Sequence, residues 1–196
     1  LEQLAEDAIG LLGALKIDRV HWIGLPMCGM IGQGLALNHP DRLETLVLAD
    51  TAARMSAETQ PVWQERINAA RREGMPSQVQ STLERWFTGA YLQQNPPAVE
   101  TIRKQILATS PAGYIGCSEA IRGLNYLDRL VEITIPTLIM VGEEDPGTPV
   151  AASEAMHAQI KTSKLVVIPQ AAHLSNIEQA DVFNDHLMTF LYRLSY

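Results

Sequence analysis

The chain has 196 residues, 46% of them hydrophobic and 19% charged, with a formal net charge of −7. That length suits one domain, or a core with an insertion, able to bury a sizeable interior, and the acidity argues against a nucleic-acid footprint. No apolar run reaches the roughly 18 residues of a membrane span and no signal-type leader opens the chain, so the reading is a cytoplasmic protein without membrane or nucleic-acid partners.

The opening residues already repeat at helical spacing. Leu1, Leu4, Ala8, Leu11, Leu12 and Leu15 mark one apolar face of a helix over 1–15. Nothing caps it from before, which predicts a chain cut from a longer one. A short apolar strand follows over 19–25, then a helix over 27–37 stopped by Asn38-His39-Pro40. Leu43-Glu44-Thr45-Leu46-Val47-Leu48-Ala49-Asp50 reads as a second strand. Strands separated by helices in this way predict parallel βαβ units.

Gly24-Leu25-Pro26-Met27-Cys28 joins the first strand to its helix. The layout is that of a nucleophile elbow, Gly-x-Ser-x-Gly, in which a strained turn holds serine at its tip. Pro26 stands at the tip and Cys28 at the second glycine. Proline offers no nucleophilic atom, and its ring fixes φ near roughly −65°, so both the chemistry and the turn should change.

From 52 to 131 the pattern is helical, charged and rich in Gln. It is broken by Gly74-Met75-Pro76, Asn95-Pro96-Pro97 and Ser110-Pro111, with no strand. We read it as a helical cap inserted between core segments 1–51 and 132–196; a separate helical domain is the alternative. The α/β rhythm then resumes with strands over 136–142 and 164–168, helices over 150–160 and 176–194, and loops over 142–149 and 169–175.

Those two loops follow strands, where open parallel sheets place their sites. The first holds Glu143, Glu144 and Asp145, the second His173. Nucleophile strand, acid, then histidine is the chain order of a Ser-Asp-His hydrolase triad. Asp145, next to the Pro146-Gly147 turn, is the better acid, and Glu143 and Glu144 should face solvent. An acid on Nδ1–H would leave Nε2 of His173 free as a base. Each residue taken alone is as readily a turn or structural residue.

At this point the chain resembles the α/β-hydrolase superfamily, and within it the 3-oxoadipate enol-lactonases. The resemblance is carried by Leu1-Glu2-Gln3-Leu4-Ala5-Glu6-Asp7, the elbow with Gly29-Met30-Ile31-Gly32-Gln33, and Leu46-Val47-Leu48-Ala49-Asp50-Thr51. It continues through Arg85-Trp86-Phe87-Thr88, Ser110-Pro111-Ala112-Gly113-Tyr114, Asp145-Pro146 with Thr148-Pro149, and Ala171-Ala172-His173-Leu174-Ser175-Asn176-Ile177-Glu178. It implies an α/β-hydrolase fold, a parallel sheet flanked by helices under a helical cap. The activity it implies is hydrolysis of a small ester or enol-lactone through a serine acyl-enzyme, with no cofactor and no metal. It assigns Asp145 as acid, His173 as base, the Met27 N–H as an oxyanion donor and Pro26 as the nucleophile position. Arg85, Trp86, Tyr114 and Arg122 become candidates for the substrate pocket, an arginine fork matching a substrate carboxylate.

The resemblance also implies more chain before Leu1, carrying the first strands and the second oxyanion donor. Without it strand 19–25 exposes an apolar edge, to be covered by a preceding segment, a second chain or another copy. Cys28, in the first helical turn, is an alternative nucleophile by the helix dipole. Against this, its side chain starts two residues past the tip and Met30 is bulky; otherwise it is a small buried thiol. Gly116-Cys117-Ser118-Glu119-Ala120 mimics the elbow but follows no strand. Three functions therefore compete: a serine-type lactonase by descent, a non-catalytic ligand-binding or interaction protein on the same scaffold, and a Cys28 thiol hydrolase.

Overall fold

The computed structural model describes residues 1–192. Among them, four strands form one parallel sheet in sequential order, β1 Val20–Gly24, β2 Leu43–Ala49, β3 Thr137–Gly142 and β4 Ser163–Ile168. Helices α1 Glu2–Ala14 and α2 Pro26–Asn38 accompany β1, and α8 Val150–Gln159 joins β3 to β4. After β4 come α9 Ser175–Glu178 and α10 Ala180–Tyr192. Between β2 and β3 lie α3 Gln60–Glu73, α4 Val79–Trp86, α5 Gly89–Gln93, α6 Pro97–Ala108 and α7 Pro111–Arg122. No described helix is long and apolar enough to cross a membrane.

The central strands read as uninterrupted apolar runs because both their faces are covered. Leu46 and Leu48 pack into one core with Leu35, Leu130 and Met156, while Val47 and Ala49 face Phe183 and Phe190 across the sheet. A third cluster, Met75, Leu83, Phe87 and Ile106, holds the intervening helices together. Trp86, Tyr114, Leu174 and Ile177 pack against it, so this cluster reaches the segment that carries His173.

Two local expectations need correction. In α1 the inward residues are Ala5 and Leu12 with Leu1, Ala8 and Ile9, whereas Leu11 and Leu15 are exposed. Ala5 faces the α1–α2 contact, where an added Cβ on Gly34 would meet its methyl at 3.7 Å. The last helix, read as continuous over 176–194, is broken at Gln179, whose φ −128° and ψ 54° lie outside the helical region; residues 193 and 194 lie outside the described residues. Within 52–131 the one ladder-type contact among the described residues is the isolated Arg54–Asn125 bridge. β1 pairs with β2 on one side only among the described residues, and Ile23 on it is 40% exposed.

Candidate active site

All four strands end on the same edge of the sheet, and each is followed by a residue of the site: Pro26, Asp50, Asp145 and His173. Gly24 makes the first turn possible. A Cβ there would lie 2.4 Å from the Cys28 carbonyl carbon, so only glycine lets the chain reverse this tightly into α2. Pro26 is the first residue of that helix, a position where its missing N–H costs nothing. Leu25 before it is extended, at φ −94° and ψ 161°. No residue of this turn has positive φ, so the strained elbow conformation is absent. The turn is held instead from just beyond β2, where Thr51 Oγ1 donates to the Pro26 carbonyl at 2.7 Å.

Met27 lies in the first turn of α2, where the helix supplies no acceptor for its N–H. Cys28 is exposed, against the expectation of a buried thiol. Its carbonyl accepts from Trp22 Nε1 at 2.9 Å. The close approach of helix and sheet is carried by Gly24 and by Gly29, where an added Cβ would come 2.8 Å from Thr51. The elbow mimic around Cys117 lies inside α7, and Ser118 Oγ donates back to the Tyr114 carbonyl at 2.8 Å.

The acid loop is short and fully engaged. Asp145 Oδ1 accepts from the Gly147 and Thr148 N–H groups at 2.7 and 3.1 Å, and Oδ2 accepts from Thr148 Oγ1 at 2.6 Å. The same Oδ2 lies 2.7 Å from His173 Nδ1, with the Asp145 side chain fully buried and that of His173 12% exposed. Burial works to raise the Asp145 carboxyl; the hydrogen bond and charge of His173, with the Thr148 bonds, outweigh it and hold the group below its ordinary range. An ionised carboxylate can only accept, so Nδ1 carries a proton, and in the neutral imidazole Nε2 keeps its lone pair. Glu143 and Glu144 are exposed, as expected.

The acid and histidine loops are stitched directly. The Glu144 N–H donates to the Ala171 carbonyl at 2.9 Å. At Gly142 any Cβ would fall 2.2 Å from the Ala172 carbonyl oxygen. From the cap side, the Trp86 ring leans over His173 with centroids 6.3 Å apart, and the Trp86 carbonyl accepts from the Leu174 N–H at 3.1 Å.

Two carboxylates were not anticipated as parts of the site. Glu178 Oε1 accepts from the Thr88 N–H and hydroxyl at 2.9 and 2.8 Å, and its Oε2 accepts from the Ala172 N–H at 2.6 Å. One side chain thereby ties the start of α5 to the residue before His173. Asp50 Oδ1 accepts from the Gly142 N–H at 2.8 Å and Oδ2 from Ser175 Oγ at 2.6 Å. Burial pushes its carboxyl up to about 6, against the Ser175 and Gly142 bonds that lower it. Glu178→Ala leaves three donors without their acceptor and is expected to cost about 2 kcal/mol of stability. Chemical denaturation measures this, with Glu178→Gln recovering part of the loss.

Of the candidate pocket residues, Trp86 meets His173, and Arg85 is its chain neighbour. Tyr114 donates its hydroxyl to Gln78 Oε1 at 3.1 Å. Arg122 goes elsewhere: its guanidinium donates to Gln60, Gln64 and Glu119, all at 2.9 Å along the α3–α7 seam.

The family model described as "alpha/beta hydrolase fold" matches residues 2–180. The chain belongs to the α/β-hydrolase fold family. It is 35% identical over 184 residues to 3-oxoadipate enol-lactonase 2 of Acinetobacter baylyi, covering 94% of this chain and 68% of that one. Among solved structures, the enol-lactonase from Burkholderia xenovorans LB400 superposes with a TM-score of 0.93 at 36% identity, over 97% of this chain and 72% of that one. A hydrolase from Pseudomonas aeruginosa PA01 gives a TM-score of 0.91 at 38% identity, over 96% and 70% of the two chains. The similarity within this α/β-hydrolase family thus points to the enol-lactonases that the sequence motifs resemble.

Proposed function

We propose that this α/β-hydrolase acts on small carboxylic esters or lactones of the enol-lactone type, through an Asp145–His173 acid–base pair whose elbow lacks the nucleophile. The observation that carries the reading is the 2.7 Å contact between His173 Nδ1 and a buried Asp145 at the mouth of a parallel sheet. Asp145 fixes the imidazole tautomer, and Nε2 can take a proton from an attacking group. The Met27 N–H, at the N-terminus of α2, suits a developing oxyanion. With Pro26 at the tip no ester bond to the protein can form there. His173 then activates water directly, at a rate orders of magnitude below that of a complete triad.

Pro26 itself favours one further reading, a scaffold that binds such a ligand without turning it over. The experiment that separates the two is hydrolysis of 3-oxoadipate enol-lactone by the parent chain and by His173→Gln, with intact-mass analysis of the reacting protein. The expected result is slow hydrolysis that His173→Gln removes, with no acyl adduct. Binding of the lactone with no hydrolysis above the uncatalysed rate favours the binding scaffold, and an acyl adduct would show that another group, Cys28 first, serves as nucleophile.

A further inference from the structure

The two residues that follow β2 touch every other loop of the site. Thr51 Oγ1 donates to the Pro26 carbonyl in the elbow at 2.7 Å. Asp50 Oδ1 accepts from the Gly142 N–H, where the acid loop begins, and Oδ2 accepts from Ser175 Oγ, two residues after His173. The connection continues through Gly142, whose carbonyl accepts from the Asp145 N–H at 3.2 Å. One carboxylate thereby reaches both members of the acid–base pair, through one peptide on the acid side and one short turn on the histidine side. The direct stitches between those loops, Glu144 to Ala171 and Gly142 against Ala172, lie before His173. Asp50 holds the chain after it, so the histidine is gripped from both sides.

Keeping Asp50 in this place is costly. It is fully buried, and its φ of 48° is left-handed, a conformation that a residue other than glycine keeps only where its surroundings over-determine it. Its carboxyl loses solvation and feels the charges of both His173 and Asp145. Two acceptors on one planar group, aimed at two loops, are what a hydroxyl or an apolar side chain does not supply.

We propose that Asp50 is a positioning residue for the Asp145–His173 pair, fixing from the end of β2 how the acid loop and the histidine loop sit against each other. It acts through the Gly142 N–H and the Ser175 hydroxyl. This role rests on the reading of that pair as the acid and base of the site, and is independent of the substrate and of the missing nucleophile.

Proton NMR of the His173 Nδ1–H tests this, because that proton lies in the hydrogen bond to Asp145 and exchanges only when the pair opens. The parent should show one far-downfield line that His173→Gln removes. Asp50→Ala should speed its exchange with water about tenfold or more, as expected for losing buried hydrogen bonds that resist opening. Asp50→Asn, which keeps both contacts, should stay near the parent rate. Leu130→Ala, in the same core as Leu35 and Met156, should also lower stability yet leave the exchange of this proton unchanged in the folded protein. Parent-like exchange in Asp50→Ala would overturn the positioning role while leaving the pair intact. Equal acceleration in Leu130→Ala would overturn it in favour of a purely structural part. A parent without the line would overturn the pair itself, and the role of Asp50 with it. Should Asp50→Ala fail to fold, Ser175→Ala decides, since it removes one of the two contacts and leaves the left-handed turn in place. Exchange no faster there than in the parent would overturn the proposal.

Discussion

Pro26→Ser combined with Cys28→Gly makes the protein react covalently with a fluorophosphonate at least about 100-fold faster than the parent chain. His173→Gln in the same background returns it to the parent rate. The reasoning starts at the turn. Pro26 opens α2 with its φ fixed and no oxygen to deprotonate, while the Asp145–His173 pair is already assembled on the neighbouring strand ends. Serine supplies the oxygen, and replacing Cys28 by glycine relaxes the first turn so that the tip can take up positive φ. Gly24 already permits the reversal. Nucleophile and base act as a unit, so removing either one forfeits nearly the whole gain. Intact-mass analysis against time reads the result. Labelling that survives His173→Gln would show that the pair does not serve the elbow, and absence of labelling in the folded double variant would reject the site as drawn.

Asp50→Ala is expected to lower stability by about 4 kcal/mol at pH 5. It strands the buried Gly142 N–H and Ser175 hydroxyl, each costing about 1–3 kcal/mol. It also places alanine at φ 48°, a left-handed conformation that costs roughly 1 kcal/mol more. The pH matters because Asp50 is raised to about 6 from its ordinary 3.8. Between those values the folded state holds a proton that the unfolded state has released, so stability falls as pH rises through the window. The fall attributable to this group is about 3 kcal/mol and is complete above pH 6. Asp145 runs the opposite way. Its lowered carboxyl contributes stability that is lost only as pH falls below the ordinary carboxylate range, outside the Asp50 window. Denaturant titrations from pH 4.5 to 7.5 should therefore show a declining slope for the parent and a flatter one for Asp50→Asn. Asparagine keeps the two contacts and tolerates φ 48°, but does not titrate. Parallel slopes would refute this account of Asp50.

Asp145 and His173 were legible because each sits in a short loop directly after an apolar strand, with Pro146-Gly147 marking one turn and the order acid then histidine preserved along the chain. The sheet was legible for the same reason: Leu46-Val47-Leu48 and Leu138-Ile139-Met140-Val141 are apolar runs of strand length. Asp50 was quoted only within a motif. A strand-end aspartate looks like a turn residue until the fold brings Gly142 and Ser175, far away in sequence, against it. The break at Gln179 has neither glycine nor proline to announce it. Leu11 and Leu15 fit the helical period, and period alone does not tell which neighbour a face meets.

The helices between β2 and β3 stand apart from the sheet in topology, and the Glu178 carboxylate gives that separation a different meaning in motion. Thr88 caps the start of α5 and Ala172 lies in the loop after β4, yet their amides are held by the two oxygens of one carboxylate. Opening that displaces the Glu178 side chain frees both N–H groups, so the two protons are expected to exchange with solvent as members of a single cooperative unit.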